Sequence, residues 1–124
     1  MKKITFVDDS QTVQKKLELV LTRAGFDFKG FTNPEMALQY HTEEKPDLLI
    51  LDYYMLGLDA DKFMVQVSEK LLFGDFEIVL FTASDLSEEK KLMLQTLGIT
   101  NFLSKNISDE KLVEFVNSLI GQTS

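Results

Sequence analysis

The stretch ITFVDD at residues 4–9 decides the fold, because a short apolar run ends there in two adjacent carboxylates. The stretch LLILD at residues 48–52 repeats the arrangement with one carboxylate. Gathering such groups is costly, since like charges repel in a low dielectric and each buried carboxylate loses its hydration. Two such runs in one parallel sheet would bring their carboxyl ends together, where open α/β sheets build ligand sites. A hard divalent cation such as Mg²⁺ would remove the repulsion, so the two stretches predict an acidic metal site.

Short apolar runs alternate with amphipathic, helix-like stretches along the whole chain. The alternation predicts five βα units and hence a parallel sheet, with right-handed crossovers that place helices on both of its faces. The predicted strands are residues 4–7, 26–31, 48–51, 78–81 and 101–103.

End signals support the helices predicted between these strands. Ser10 is a suitable N-cap for the first helix and Gly25 a suitable stop. The second helix opens near Pro34, which suits a first turn, with Thr32 and Glu35 as a capping box. The first predicted helix spans residues 11–24, and the second contains Met36, Ala37, Leu38 and Tyr40. The third contains Phe63, Met64, Val67, Leu71 and Leu72 and ends near Gly74, and the fourth contains Leu86, Met93, Leu94 and Leu97 and ends at Gly98. The fifth starts after Ser108 and contains the apolar residues of 112–120.

The composition of the 124-residue chain is that of one globular domain, with 44% hydrophobic and 27% charged residues. A net charge of −7 argues against binding to nucleic-acid backbones and favours protein partners. With no cysteine and a single histidine, His41, neither disulfides nor a zinc cluster is expected. No apolar run approaches the ~20 residues of a membrane span, so the cytoplasm is the expected location.

Two further strand ends carry side chains suited to holding a phosphoryl group. Thr82 ends the fourth apolar run and offers a hydroxyl, while Lys105 follows the fifth and offers an ammonium. In a parallel sheet these ends meet at the edge that carries Asp8, Asp9 and Asp52. Metal, hydroxyl and ammonium would share the phosphoryl oxygens while Asp52 supplies the attacking oxygen. We therefore expect phosphoryl transfer to Asp52.

The chain resembles the response-regulator receiver domain, the CheY-like domain, in the order and strand-end placement of Asp8-Asp9, Asp52, Thr82-Ala83 and Lys105. The resemblance covers residues 1–124 as one domain. It implies a flavodoxin-like (βα)₅ three-layer sandwich with a parallel five-stranded sheet in the order 2-1-3-4-5. It also implies a two-component phosphorelay switch rather than an enzyme, in which Asp52 accepts a phosphoryl group from a histidine kinase or histidine phosphotransfer protein. Mg-dependent self-phosphorylation and slow self-dephosphorylation are expected with it.

The resemblance further implies how the metal is held. Asp9 would bind Mg²⁺ directly and Asp8 mainly through water. Asp52 and the backbone carbonyl of Tyr54 would complete the protein ligands. Tyr54 is bulky at its place two residues after the acceptor, and we expect it to hinder an attacking water and prolong the phosphorylated state.

The remaining implied roles concern the phosphoryl group and the output. Thr82 and Lys105 would contact the phosphoryl oxygens and so act with Asp52 in the transfer. Thr82 and Phe102 occupy the switch positions of the family, although Phe102 has no hydroxyl. The downstream protein partner would bind the face formed by the fourth helix, fifth strand and fifth helix. Residues 88–91 are predicted to be solvated helix surface.

Several residues depart from the family pattern. Asn106 follows Lys105 where proline is usual, and the loop after Asp52 has Leu56 and Ala60 where proline and glycine are common. These departures keep open an alternative function, a receiver-like interaction module that works without phosphorylation. Titration with Mg²⁺ would distinguish the two, because such a module need not bind the ion.

Two other functional classes fit the sequence less well. A phosphohydrolase with an aspartyl nucleophile of the haloacid-dehalogenase kind needs a second acid two residues after Asp52, where Tyr54 stands. Flavin or dinucleotide binding needs a G-x-G-x-x-G or hydroxyl-rich phosphate loop after the first strand, and the sequence has neither.

Overall fold

The computed structural model describes residues 2–41, 45–53, 62, 65, 76–82 and 86–121. The third predicted helix, Tyr54 and residues 83–85 lie outside the described residues. The helices α3 and α4 therefore correspond to the fourth and fifth predicted helices. The strands are β1 (Lys3–Val7), β2 (Asp27–Phe31), β3 (Leu48–Asp52), β4 (Glu77–Thr82) and β5 (Asn101–Ser104), and the helices are α1 (Gln11–Arg23), α2 (Pro34–His41), α3 (Glu88–Thr96) and α4 (Asp109–Ile120).

The five strands form one parallel sheet in the order β2-β1-β3-β4-β5. The register sets Val7 beside Leu51 and Asp52 beside Phe81, so that β1, β3 and β4 end at the same edge. The predicted flavodoxin-like fold with strand order 2-1-3-4-5 is confirmed. Because the carboxyl ends of all five strands share one edge, a ligand site is expected there.

Hydrophobic clusters cover both faces of the sheet, since successive side chains of a strand point to opposite faces. The central strand β3 is buried along its whole length. No described helix is both long and apolar enough to cross a membrane. One cluster joins the sheet to α1 and α4 and includes Phe6, Ile50, Leu17, Leu21, Leu112 and Val116. The other joins it to α2 and α3 and includes Val7, Leu49, Leu80, Ala37 and Leu94.

The first helix begins and ends as its sequence predicts. The Ser10 hydroxyl accepts a hydrogen bond from the backbone N–H of Val13 at 3.3 Å, which satisfies one of the free amide groups of the first turn. At the other end Gly25 has a φ of 95°, a left-handed conformation that glycine adopts without steric cost. Gly98 follows α3 in the same way, with a φ of 117°. The three end signals are confirmed.

Two helix starts differ from the prediction. The capping box of Thr32 and Glu35 is wrong, because α2 begins at Pro34 and the Asn33 side chain accepts from the Glu35 N–H at 2.8 Å. An asparagine directly before a first-turn proline takes the cap position, so Thr32 lies one residue too early. Helix α3 begins only after its N-cap Ser87, which leaves Leu86 outside the helix.

The apolar stripe of α3 is narrower than the sequence suggested. Leu94 is completely buried, whereas Leu92 and Met93 on the same helix are 63% and 41% exposed. Met93 was expected on the core side, but the helix turns it towards solvent. Only the Leu94 side of the helix therefore contributes a fully buried leucine to the core.

We predict that Leu94→Ala lowers the free energy of unfolding by about 2–5 kcal/mol, because it removes buried methyl groups and leaves a cavity. The matched control is Leu92→Ala, the same change on the exposed side of α3, which should alter stability by less than about 0.5 kcal/mol. Urea denaturation followed by far-UV circular dichroism measures both. Equal losses in the two variants would contradict the packing described here.

Candidate functional site

Three carboxylates gather at the carboxyl edge of the sheet. Asp8 and Asp9 directly follow β1, and Asp52 is the last residue of β3. One oxygen from each lies within 4.8 Å of the oxygens of the other two. Asp8 and Asp52 are 1% and 7% exposed, whereas Asp9 is exposed. The pairing of β1 with β3 therefore converts two distant stretches of sequence into one acidic cluster.

Lys105 bridges the two buried members of this cluster. Its Nζ lies 2.8 Å from Asp52 Oδ1 and 3.3 Å from Asp8 Oδ2. Its backbone N–H donates to the carbonyl of Thr82 at 3.0 Å, which anchors the start of the loop after β5 to the end of β4. The Lys105–Asn106 peptide bond is trans. Asparagine in place of the family's proline thus leaves the ammonium within reach of both carboxylates.

The cluster perturbs the acidity of Asp52 and Lys105. Burial raises the pKa of Asp52 above its ordinary value, and repulsion from Asp8 and Asp9 adds to the rise, although the hydrogen bond from Lys105 opposes it. Burial alone would lower the pKa of Lys105, but the contacts with Asp52 and Asp8 outweigh it and raise that pKa. The ammonium is therefore held charged between two acids.

The donor set fits a hard divalent cation. The cluster offers carboxylate oxygens, which Mg²⁺ prefers over nitrogen or sulfur. Asp8 Oδ1 accepts from the Ser10 N–H at 2.9 Å, so this side chain is held in place by the loop that carries it. Asp9 remains exposed and open to solvent. Among the residues the structure describes, Asp8, Asp9 and Asp52 could hold the ion; Tyr54 lies outside them.

The two candidate switch residues, Thr82 and Phe102, lie on β4 and β5. Thr82 ends β4 and is half-buried, and Phe102 lies in β5, packed against the core cluster on the α2 and α3 side. The Lys91 ammonium of α3 is 5.9 Å from the centre of the Phe102 ring. The geometry thus connects Phe102 to α3, while Thr82 stands beside the acidic edge.

Two lysines of α3 lie close to aromatic rings. The Lys90 ammonium is 5.4 Å from the centre of the Tyr53 ring, which directly follows Asp52. Lys90 and Lys91 are half-buried, whereas Glu88 and Glu89 are exposed, as predicted for a solvated helix surface. Cations are attracted to the faces of aromatic rings at such distances. These contacts connect α3 to Tyr53, which follows β3, and to Phe102 in β5.

Sequence reasoning missed Gln14, a side chain that braces the acidic loop. Its amide Nε2 donates to the carbonyl of Asp8 at 2.9 Å and also to the carbonyl of Phe31. Gly30 makes room for it, because a Cβ there would stand 2.1 Å from Gln14 Oε1. The available signal was the isolated glycine inside a strand, which marks a close approach by another group.

We predict that Gly30→Ala costs about 1–3 kcal/mol of stability, because the new methyl displaces the Gln14 amide from two backbone carbonyls. In a Gln14→Ala background the same change should cost at least about 0.5 kcal/mol less, since the displaced group is already absent. Urea unfolding of the two single variants and the double variant completes the cycle. Strict additivity would show that Gln14 and Gly30 are not coupled.

We also predict that Asp52→Asn stabilises the metal-free fold at neutral pH. A raised pKa means that stability is fully present below the ordinary aspartate pKa of 3.8 and is lost as the pH rises through the folded-state pKa of Asp52. Asparagine imitates the neutral acid, so its advantage should shrink at a pH below 3.8. Unfolding in urea with a chelator, at both pH values, measures this, and Asp27→Asn serves as an exposed control. An equal gain at both pH values would contradict the assignment.

Known proteins match the chain over most of its length. The family model described as the response regulator receiver domain matches residues 4–117. The chain is 32% identical over 119 residues to the alkaline phosphatase synthesis transcriptional regulatory protein PhoP of Bacillus subtilis, covering 96% of this chain and 48% of PhoP. It is 26% identical over 120 residues to protein PilH of Pseudomonas aeruginosa, covering 97% of this chain and 98% of PilH. The chain thus spans about half the length of PhoP and nearly all of PilH.

Solved structures show the same fold. The chemotaxis protein CheY4 of Vibrio cholerae superposes with a TM-score of 0.84 at 25% identity, covering 96% of this chain and 98% of CheY4. A putative response regulator from Chloroflexus aurantiacus superposes with a TM-score of 0.83 at 29% identity, covering 98% of each chain. The match to the family model, the strand order and these neighbours agree. The chain belongs to the response regulator receiver domain family.

Proposed function

We propose that this chain is a phosphoryl-accepting signalling switch of a two-component phosphorelay, with Asp52 as the acceptor. The observation that carries the proposal is the placement of Asp52, a buried carboxylate 2.8 Å from the Lys105 ammonium and within 4.8 Å of Asp8 and Asp9. Membership of the receiver family and the likeness to PhoP support it. The phosphodonor would be a histidine kinase or a histidine phosphotransfer protein.

The proposed reaction needs one nucleophile and several positive or hydrogen-bonding groups. An oxygen of Asp52 forms a bond to phosphorus while the bond from phosphorus to the donor's nitrogen breaks. Lys105 lies close enough to Asp52 to contact the phosphoryl oxygens once they are attached, and the Thr82 hydroxyl stands at the neighbouring strand end. Small phosphodonors would serve as well, giving self-phosphorylation. Water would slowly hydrolyse the aspartyl phosphate, releasing inorganic phosphate and restoring the Asp52 carboxylate.

The metal has a defined place in this proposal. Bound Mg²⁺ would neutralise negative charge on the carboxylates and on the incoming phosphoryl group. Asp9, Asp8 and Asp52 would hold it, together with the backbone carbonyl of Tyr54. The buried pair Asp8 and Asp52 supports this role, because Lys105 supplies one positive charge against two adjacent buried carboxylates. The Tyr54 side chain would slow hydrolysis by shielding the acceptor.

The proposed output is a protein partner that binds the face formed by α3, β5 and α4. Phe102 of β5 and Lys91 of α3 are in contact across this face, so a change at Thr82 and Phe102 would reach α3. Leu92 and Met93 on α3 are large apolar side chains exposed to solvent, as expected for a protein-binding surface. A cytoplasmic location, and the absence of nucleic-acid and membrane binding, stay predictions.

One observation favours the alternative, a receiver-like module that does not depend on phosphorylation. Lys105 already pairs with both buried carboxylates, so the cluster is partly neutralised without a metal. A module of this kind could keep the fold and its protein-binding face while never accepting a phosphoryl group. The two proposals differ in whether Mg²⁺ and a phosphoryl mimic change the structure.

We predict that acetyl phosphate with Mg²⁺ adds one phosphoryl group to the native chain, and that Asp52→Asn abolishes this addition because it removes the attacking oxygen. Asp27→Asn, which changes an exposed aspartate of β2, should be phosphorylated like the parent. Intact-protein mass spectrometry measures the modification. Omission of Mg²⁺ should reduce the initial rate of phosphorylation by tenfold or more, on the order of 1.4 kcal/mol of lost transition-state stabilisation.

Amide NMR spectra distinguish the proposal from its alternative. Beryllofluoride with Mg²⁺ should shift resonances at Asp52, Thr82 and Lys105 and also at Phe102 and along α3. A spectrum that does not respond to Mg²⁺ or to beryllofluoride would support the phosphorylation-independent module. Shifts confined to the acidic cluster would show binding without switching.

A further inference from the structure

An open groove of about 540 Å³ runs between α1 and α4, on the sheet face opposite α2 and α3. Helix α1 contributes Lys16 and Arg23 to its wall, with Leu19 and Val20 between them. Leu19 is 51% exposed, although it is a large apolar side chain. This side of the groove is therefore a basic wall around an exposed apolar patch.

Helix α4 contributes the opposite charge. Asp109, Glu110 and Glu114 line the groove from this side, with Val113 among them. The acidic wall thus faces the basic wall of α1 across an apolar floor. Lys105 and the acidic cluster take no part in lining the groove.

An ion pair links the two walls. Lys16 Nζ is 3.7 Å from Asp109 Oδ1, and the two side chains are 60% and 57% exposed. Such a solvated pair is weak and leaves both groups accessible to further partners. Arg23 lies seven residues beyond Lys16 and Glu114 five residues beyond Asp109, which is ~10.5 and ~7.5 Å along the helices. The two helices run in the same direction, since both follow strands of one parallel sheet. Counted from the Lys16–Asp109 pair, Arg23 and Glu114 are offset by about 3 Å along the groove.

The basic wall of one copy can face the acidic wall of a second copy under one particular symmetry operation. A two-fold axis lying along the groove would turn a second copy over, so that its basic wall meets the acidic wall of the first copy at the same level. A two-fold axis across the groove would instead set basic on basic and acidic on acidic. We propose that the face formed by α1 and α4 binds a second copy of this chain through the first arrangement.

The size and charge of the face set the strength of this dimer. Helices of 13 and 12 residues are only ~20 Å long, and two neighbours give a face smaller than the ~800 Å² per partner of a standard interface. The dimer is therefore weak and forms at high protein concentration. Because its charges stay near solvent, added salt weakens it. The association does not depend on phosphorylation of Asp52.

Two charge-reversal variants, studied singly and as a mixture, test the proposal. Sedimentation velocity over a range of concentrations up to about 1 mM measures their self-association. Arg23→Glu and Glu114→Arg each place like charges opposite one another twice in the dimer, and each should weaken self-association at least about tenfold. An equimolar mixture of the two variants pairs Glu with Arg at one site and keeps the native pair at the other. The mixture should therefore associate within about threefold of the parent chain.

The control is Lys15→Glu, the same charge change on the side of α1 that lines a different groove, beside β2. It should leave association within about threefold of the parent. Thermal melting at low concentration shows that each variant is folded. A parent chain that stays monomeric at about 1 mM overturns the proposal and leaves the groove to a partner of another kind. Failure of the mixture to associate, or equal weakening by Lys15→Glu, overturns it as well.

Discussion

The parallel pairing of β1 with β3 is the constraint on which the site depends. It sets Val7 beside Leu51, and the next residue of each strand or its loop is an aspartate. Asp8 and Asp52 are then buried next to each other, where neither can regain its hydration. The sheet cannot form in this register without bringing the two charges together.

Lys105, in the loop after the edge strand β5, offsets part of the cost of burying these two carboxylates. Its position depends on β5, whose pairing with β4 brings the chain back to the same edge. One ammonium between two buried carboxylates leaves the cluster with an excess of negative charge. Burial raises the pKa of Asp52, and repulsion from Asp8 and Asp9 adds to the rise. A bound cation would reduce this excess of negative charge.

Much of the architecture was predictable because local patterns agree with the global fold. The alternation of strands and helices, Ser10 as a cap and Gly25 as a stop depend on neighbouring residues only, and each is visible in the sequence. The start of α2 is ambiguous in the sequence, since Thr32 and Asn33 are both good caps, and the position of Pro34 in the first turn favours Asn33. The proximity of Asp8, Asp52 and Lys105 was predictable because each stands at or directly after a strand end, and strand ends of one parallel sheet meet at one edge.

The sheet, its covering helices and the chemical character of its carboxyl edge could be predicted from local properties of the sequence, namely hydrophobic periodicity and strand-end charges. Contacts between distant groups became visible only in the folded chain. Gln14 reaches the carbonyl of Phe31, and Lys90 lies over the ring of Tyr53. The facing charges of α1 and α4 also come together only on folding. Such contacts depend on rotamers and on the packing of helices against the sheet, and neither follows from the spacing of residues along the chain.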